Sequence, residues 1–561
     1  MRREVSVVNK KVCSFPILFA LLALLIGTCA VVFPASAQAA PTSTGSITVS
    51  GTVASSYDAY QIFSANVVDG DSDAKIATDL AWASDAVRDA VLPVLHSAGM
   101  PNSQTTAQEA AEWLNTDSHL TSALSAQLAR SLQSSGVFKA LNAGTTAELP
   151  CGYWLIVADD DAIAEGEAGT APIMTLVGGS AVTVKPKAAT PKVDKHVLED
   201  STAAWQKAAD ATVGDDLYWR LSATVPAGLT AYDIYAVQFV DTMSAGLDPS
   251  RVAASVRVYV AAGADGGFDA VSAGKDGRAG TDPAKGWTDI TAQCATKVAA
   301  DGTFTVRTGD LIAALGGADA FTAGARVVAV YNAPLNSACN HGIAKGNPNQ
   351  VYLRYPRSPL ANQSGDAGFT HTPSDDACAY TWDLALTKRG SDGDKPLAGA
   401  VLSIADDRGR TLAADGTWDA EGKATVTTGE DGRVAVSGVD SGKLEVRELK
   451  APKGYTAFEG TRSVTVKAEG LDVDQVAAAK PKLTITAESP LRADNADGST
   501  GSLEASLINT PAGTPPSIFT GGFMPLTGDM AMFTAAAAAV AGAALIVVAL
   551  LVKRGGGSHK E

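Results

Sequence analysis

The chain has 561 residues, with 44 basic and 60 acidic side chains and a net charge of −16. Its length is sufficient for about three domains with separate cores. The acidic balance excludes nucleic acid as an expected partner. The 6 histidines are scattered and the cysteine spacings fit no zinc pattern, so we expect no metal and no cofactor. No phosphate loop or nucleophile–base motif occurs in the sequence, which disfavours an enzyme with turnover.

The amino terminus, residues 1–40, is predicted to be a secretory signal peptide. Basic side chains lie near the start, an apolar run follows at 17–33, and small residues occupy 35–40. The protein is therefore expected outside the cell, where disulfides form. Four cysteines remain after removal of the signal peptide, Cys151, Cys294, Cys339 and Cys378, and they allow three connectivities. We favour a Cys294–Cys339 pair because these two are close in sequence.

Residues 41–190 are predicted to form an N-terminal domain that mixes strands with helices. Strand patterns occur at 46–50, 57–63 and 153–157. Thr106 and Glu109 have the spacing of a capping box that opens a helix. Further along, leucines recur every four residues and predict one buried helical stripe that ends before Gly136; they are Leu120, Leu124, Leu128 and Leu132.

After a linker at 186–191, residues 191–380 are predicted to form an all-β domain. Alternation along its strands separates core-facing from solvent-facing side chains. Three apolar rows each contain one polar residue, namely Lys195, Asp241 and Asn349. Asn347 has the same parity as Asn349 and is the alternative in that row. The apolar members of the three rows are Val193 and Val197; Val237, Phe239 and Met243; Val351, Leu353 and Tyr355.

Residues 381–513 are predicted to form a second all-β domain with the same pattern. Here Lys388, Glu448 and Asn509 each continue an apolar row. An unpaired buried ion costs several kcal/mol, and burial lowers a lysine pKa and raises a carboxyl pKa. A neutral lysine is a nucleophile, and a protonated carboxyl can polarise a carboxamide. The pattern therefore predicts an amide bond between Lys and Asn with release of ammonia. An ordinary salt bridge, or a lysine whose charged end reaches solvent, is the alternative.

The carboxyl end has three parts in sequence. A Pro- and Gly-rich spacer at 514–523 precedes the pentapeptide Met524-Pro525-Leu526-Thr527-Gly528. The apolar stretch 530–552 follows and would be about 34 Å long as a helix, enough to cross a membrane. Lys553 and Arg554 then supply the positive charge expected on the cytoplasmic side.

This tail, 524–561, resembles the cell-wall sorting signal that sortases cleave in Gram-positive bacteria. The family pattern is Leu-Pro-x-Thr-Gly, and Met524 is its one departure. The resemblance implies that Thr527 becomes the new, covalently attached carboxyl terminus. The string 182–187, Val-Thr-Val-Lys-Pro-Lys, is similar to the pilin motif whose final lysine attacks the sortase-bound Thr of another subunit. It implies Lys187 as the intersubunit lysine, with Lys185 as the alternative.

The two all-β domains also resemble known families. Lys388, the string 448–455 and the ending 509–511 are similar to the collagen-adhesin B-type domain, in which the Glu catalyses Lys–Asn bonding. Leu449 stands where that family has Thr. The strings 239–247 and 346–353 resemble the fimbrial isopeptide-forming domain of pilus subunits. That resemblance implies Lys195 as nucleophile, Asp241 as catalytic acid and Asn349 as acceptor.

Together these resemblances imply a mainly β protein. They imply serial immunoglobulin-like β-sandwich domains of the collagen-adhesin type, an α+β N-terminal domain and a C-terminal transmembrane helix. The implied function is that of a major pilin, polymerised by sortase, anchored to the Gram-positive cell wall and supporting adhesion. The implied partners are pilin-type and housekeeping sortases, identical subunits, minor pilins, peptidoglycan and a host surface ligand. A non-polymerising wall-anchored adhesin or a minor pilin is the alternative.

Overall fold

The computed structural model describes residues 43–513, apart from residues 52, 71–73, 117, 136, 188–189, 228, 264–286, 343, 362–365 and 498–499. The predicted signal peptide, spacer, sorting signal and apolar stretch lie outside the described residues. Among those that are described, no helix is both long and apolar enough to cross a membrane. Three groups of sheets follow one another along the chain, and each surrounds its own apolar core.

The N-terminal unit (residues 43–187) has two sheets and a helical layer. One sheet has the order β5-β1-β8, and the other has the order β3-β2-β6-β7 with β4 also on β2. The elements are β1 (Thr44–Val49), β2 (Ser56–Asp69), β3 (Lys75–Trp82), α1 (Asp85–Ser97), α2 (Ala107–Asn115), α3 (Ser122–Gln133), β4 (Lys139–Asn142), β5 (Thr146–Pro150), β6 (Gly152–Ala158), β7 (Ile173–Val177) and β8 (Val182–Val184).

The helices of this unit begin and pack as the sequence predicts. The Thr106–Glu109 capping box is present at the start of α2. On α3, Leu124, Leu128 and Leu132 are buried against the sheet residues of the same core, while Leu120 precedes the helix and is partly buried. The predicted strands at 46–50, 57–63 and 153–157 coincide with β1, β2 and β6. The predicted stop, Gly136, lies outside the described residues.

The middle unit (residues 190–380) is a β-sandwich. Its sheets have the orders β10-β9-β12-β18-β14-β15 and β11-β21-β19-β13-β17-β16, with β20 also on β19. The elements are β9 (Val193–Glu199), β10 (Ala204–Gln206), β11 (Ala208–Asp210), β12 (Tyr218–Thr224), β13 (Gln238–Met243), α4 (Val252–Ser255), β14 (Arg257–Ala261), β15 (Trp287–Asp289), β16 (Ala295–Val298), β17 (Thr303–Arg307), α5 (Leu311–Ala314), β18 (Arg326–Asn332), β19 (Asn347–Pro356), β20 (Phe369–His371) and β21 (Asp375–Tyr380).

The C-terminal unit (residues 381–513) is also built from two sheets. Their orders are β27-β22-β33-β29, with β32 also on β33, and β25-β24-β23-β28-β30-β31, with β26 also on β23. The strands are β22 (Trp382–Gly390), β23 (Val401–Ala405), β24 (Thr411–Leu412), β25 (Trp418–Asp419), β26 (Val426–Thr427), β27 (Arg433–Val439), β28 (Gly442–Lys450), β29 (Tyr455–Thr456), β30 (Thr461–Glu469), β31 (Lys482–Ala487), β32 (Leu491–Asp497) and β33 (Ser502–Pro511).

The preferred disulfide, Cys294–Cys339, is wrong. Both cysteines are free thiols, as are Cys151 and Cys378. The Cys294 thiol instead donates to the carbonyl of Ile290 at 3.3 Å. Closeness in sequence failed as a guide because these two residues end different turns, one before β16 and the other before β19.

Candidate isopeptide sites

In the middle unit, Lys195, Asp241 and Asn349 meet across the sandwich. Lys195 lies on β9 in one sheet, and Asp241 and Asn349 lie on the neighbouring strands β13 and β19 of the other. All three side chains are fully buried. The alternating apolar residues of each strand face the same core, which is why these polar residues of the same parity are carried inside with them.

The lysine and the carboxyl form a close pair. Lys195 Nζ donates a short hydrogen bond to Asp241 Oδ2. Burial lowers the pKa of Lys195 to about 8, and burial raises the pKa of Asp241 although the lysine opposes that rise. Both directions favour the neutral forms, an amine and a carboxylic acid, which are the forms that amide formation needs.

The sequence did not reveal a fourth member of this site, Tyr331 on β18. Its hydroxyl accepts hydrogen bonds from Lys195 Nζ at 2.9 Å and from Asn349 Nδ2 at 2.8 Å, and it donates to Asp241 Oδ2 at 3.0 Å. The ring centroids of Tyr331 and Trp219 each lie 5.5 Å from Lys195 Nζ. One buried hydroxyl therefore touches every reacting group of the site.

Two buried oxygens of this site have no hydrogen-bond partner, Asp241 Oδ1 and Asn349 Oδ1. When Asp241 is ionised, both oxygens can only accept hydrogen bonds, and no donor among the described residues pairs with them. A proton on the Asp241 carboxyl would supply one. The unpaired Asn349 oxygen is the atom that must be polarised if a nucleophile is to attack its carbonyl carbon.

Asn347, the alternative acceptor, is also buried but its carboxamide is occupied elsewhere. Its Nδ2 donates to the carbonyls of Asn340 at 2.9 Å and Ala379 at 3.2 Å, and its Oδ1 accepts from the Asn340 amide at 2.8 Å. These bonds tie the start of β19 to the preceding turn and to the neighbouring strand β21. The geometry therefore favours Asn349 over Asn347 as the acceptor.

In the C-terminal unit, Lys388, Glu448 and Asn509 are likewise brought together in the core. Lys388 on β22 and Asn509 on β33 belong to one sheet, and Glu448 on β28 belongs to the other. Asn509 Nδ2 donates to both Glu448 oxygens, at 2.9 and 3.0 Å. Lys388 Nζ lies 3.6 Å from Glu448 Oε1 and donates to the Leu507 carbonyl at 3.2 Å.

Burial has the same effect on this second lysine. Lys388 is fully buried, and desolvation lowers its pKa to about 8 despite the nearby Glu448. Asn509 Oδ1 has no hydrogen-bond partner, as with Asn349. A half-turn of the Asn509 carboxamide would place this oxygen where Nδ2 now donates, facing the Glu448 carboxyl.

Lys185 and Lys187 follow β8, the short strand that pairs in parallel with β1. Both side chains are exposed, whereas Val184 before them is buried. Exposure suits a lysine that has to enter the active site of an enzyme, but it does not distinguish Lys187 from Lys185. The pentapeptide 524–528 lies outside the described residues, so its geometry adds nothing here.

Comparison with known proteins gives three results. Residues 383–480 match the family described as "SpaA: Prealbumin-like fold domain". The chain is 28% identical over 175 residues to the Trypsin-resistant surface T6 protein of Streptococcus pyogenes, which covers 30% of this chain and 30% of that protein. The T6 backbone pilin structure of Streptococcus pyogenes is similar at 17% identity and a TM-score of 0.47, covering 84% of this chain and 98% of that one.

A further solved structure of the same kind is the major pilin SpaD of Corynebacterium diphtheriae. It is 15% identical with a TM-score of 0.41, covering 84% of this chain and 98% of that one. The two solved structures are a backbone pilin and a major pilin, and the curated relative is a surface protein. The family and sequence matches confirm the resemblance to pilus subunits, the described strands confirm the mainly β fold class, and residues 383–480 match a prealbumin-like domain family. The chain spans about 30% of the length of the curated relative that it matches, and the roles of single residues stay predictions.

Proposed function

We propose that this protein is the shaft subunit of a sortase-assembled pilus on the Gram-positive cell surface. The observation that carries the proposal is the pair of buried Lys, carboxyl and Asn groups in two consecutive β-domains. A buried lysine beside a buried carboxyl contributes little to stability as an ion pair, because desolvation offsets the attraction. The same arrangement is well suited to forming an intramolecular amide.

In each domain the reaction would be a single event rather than a turnover. The neutral lysine attacks the Asn carbonyl carbon, the carboxyl polarises the carbonyl oxygen, and ammonia leaves. The folded core holds the groups in contact, which replaces a bimolecular encounter by an intramolecular one. Lys195 would bond to Asn349 with Asp241 as the acid, and Lys388 would bond to Asn509 with Glu448 as the acid.

Assembly would join Thr527 of one subunit to Lys187 of the next. A pilin-type sortase cleaves after Thr527 and transfers it to Lys187 of the next subunit, and a housekeeping sortase joins the base to peptidoglycan. Identical subunits, with minor pilins, would form a covalent filament that supports adhesion to a host surface. The exposed position of Lys187 after β8 supports this role, as does the resemblance of 182–187 to the pilin motif.

The test is an immunoblot of enzymatically released cell wall after boiling in detergent. The wild-type strain is compared with Lys187→Ala and with Lys185→Ala as the matched control. A high-mass ladder that is lost only in Lys187→Ala supports a shaft subunit joined through Lys187. A ladder lost only in Lys185→Ala moves the junction by two residues. A single monomer-sized band in the wild type contradicts polymerisation and leaves a wall-anchored adhesin or a minor pilin.

A further inference from the structure

The two candidate sites differ in how the carboxyl reaches the leaving nitrogen. In the C-terminal unit, Glu448 contacts Asn509 Nδ2 directly, at 2.9 and 3.0 Å. In the middle unit, Asn349 Nδ2 instead donates to the Tyr331 hydroxyl at 2.8 Å. An Asp side chain is one methylene shorter than a Glu side chain. The Tyr331 hydroxyl spans the gap, because it contacts Asp241 and Asn349 at the same time.

We propose that Tyr331 is a catalytic proton relay in formation of the Lys195–Asn349 bond. The inference rests on the intramolecular bond of the proposed function and adds a residue to it. Its basis is geometric: the hydroxyl oxygen lies 2.9 Å from the attacking nitrogen, Lys195 Nζ, and 2.8 Å from the leaving nitrogen, Asn349 Nδ2. A proton that leaves the first nitrogen can therefore reach the second through one intervening group.

The protons balance in two steps. Lys195 first passes one proton to Asp241 across their short contact, which leaves an amine and a carboxylic acid. With its Asp241 acceptor now protonated, the Tyr331 hydroxyl is released to donate its hydrogen to Asn349 Nδ2 once attack on the carbonyl carbon has made that nitrogen an amine. The Nζ–carbonyl carbon bond then forms, a second proton moves from Nζ to the Tyr331 oxygen, and the Tyr331 proton moves to Nδ2.

Cleavage of the carbon–nitrogen bond of Asn349 then releases ammonia. The leaving nitrogen carries its own two hydrogens and the one from Tyr331, while Nζ keeps one hydrogen in the new amide. Tyr331 is regenerated as a neutral phenol. No other reactant is needed, and the buried position of Tyr331 excludes water as a competing carrier.

The hydroxyl can be removed without removing the ring. The Tyr331 ring makes an edge-to-face contact with Phe304, with centroids 4.6 Å apart, and Tyr331→Phe keeps that contact. A matched control is Tyr355→Phe, since Tyr355 is as deeply buried in the same core and its hydroxyl donates to the Gly166 carbonyl instead. The C-terminal site, Lys388–Asn509, has no such hydroxyl among its described contacts and serves as a control within the same chain.

The experiment follows bond formation in the full chain, recovered unfolded from inclusion bodies and refolded by dilution. Samples are quenched at successive times and digested. Mass spectrometry then measures the fraction of chains that carry each of the two linked peptides. Tyr331→Phe is expected to slow Lys195–Asn349 bonding by about 100-fold, within the usual range of a general acid–base contribution. Lys388–Asn509 bonding in the same variant should keep the wild-type rate. Tyr355→Phe should form both bonds at the wild-type rates. Middle-unit bonding in Tyr331→Phe at the wild-type rate overturns the relay.

A second measurement separates a relay from a purely structural role of the hydroxyl. The wild-type rate of Lys195–Asn349 bonding is measured in mixtures of H₂O and D₂O. Two protons that move together predict a curved dependence of the rate on deuterium fraction, and a linear dependence overturns the relay.

A wild-type chain that links Lys388 to Asn509 but never Lys195 to Asn349 overturns the middle-unit bond itself and the relay with it. If the Lys187-dependent ladder is absent but both bonds form, only polymerisation fails and the relay stands.

Discussion

Lys388 and Asn509 lie on neighbouring parallel strands, and Lys388 is opposite Leu507, two residues before Asn509. These strands, β22 and β33, are the first and the last of the C-terminal unit. A bond between the two side chains would close a loop that contains nearly the whole unit. Force applied to the chain ends would then pass through covalent bonds and leave the sheets folded.

The first prediction concerns the stability that this closure supplies. Asn509→Ala removes the acceptor, and closing a loop of this length is worth about 4–5 kcal/mol by the chain-entropy estimate used for disulfides. We expect the free energy of unfolding of the C-terminal unit to fall by about that amount, as measured by urea denaturation. Asn495→Ala is the control, because Asn495 is exposed on the adjacent strand β32 and should change the midpoint little.

The second prediction concerns pH. In Asn509→Ala, Lys388 remains a buried amine whose pKa is lowered to about 8 by desolvation, against 10.5 in an exposed lysine. Between those pH values the unfolded chain binds more protons than the folded chain, so stability rises with pH. Below pH 8 both states are protonated and this contribution is flat.

Urea midpoints at pH 7.5, 9 and 10 test this directly. Asn509→Ala should gain about 1–3 kcal/mol over that range relative to the wild type, whose Lys388 is an amide that does not titrate. Parallel curves for the two proteins would mean either that the wild type is not bonded or that Lys388 is not desolvated. Peptide mass spectrometry of the same wild-type sample tells these two cases apart.

The third prediction concerns the choice of acceptor in the middle unit. Asn349→Ala should abolish the link to Lys195, since its carboxamide is the one that contacts Tyr331. Asn347→Ala should keep the link, although it removes hydrogen bonds to Asn340 and Ala379 and lowers stability by about 1–3 kcal/mol. Digestion and mass spectrometry of the two variants give the answer, and a link that survives in Asn349→Ala contradicts the assignment.

The fourth prediction concerns the cysteines. Cys151, Cys294, Cys339 and Cys378 are free thiols, two of them buried and two partly buried. The unfolded, exported protein should therefore react with a thiol reagent at all four positions without prior reduction. Fewer than four modified thiols, or a shift in electrophoretic mobility on reduction, would reveal a disulfide.

The buried polar rows were readable from the sequence because strand geometry has a period of two. Lys195, Asp241, Asn349, Lys388, Glu448 and Asn509 all continue apolar rows, and all six side chains are buried. The capping box of α2 and the leucine stripe of α3 were readable because both depend on the three- to four-residue spacing within one helix.

Tyr331 was missed because its role depends on which strands face each other. It lies within the buried strand β18, with Val327 and Ala329 on the same face, and by parity alone it is an ordinary core residue. A buried tyrosine hydroxyl needs a hydrogen-bond partner, and that need was the available signal. The partner could not be assigned because β9, β12 and β18 are neighbours in the sheet but far apart in sequence.

The most direct measurement is the intact mass of the protein exported by a strain that lacks sortases, with its first residue fixed by N-terminal sequencing. Each Lys–Asn bond releases one ammonia, about 17 Da, so two bonds predict a mass about 34 Da below that of the sequence. Asn349→Ala and Asn509→Ala should each lose one of the two decrements. A wild-type mass equal to the sequence mass would contradict covalent stabilisation of the subunit.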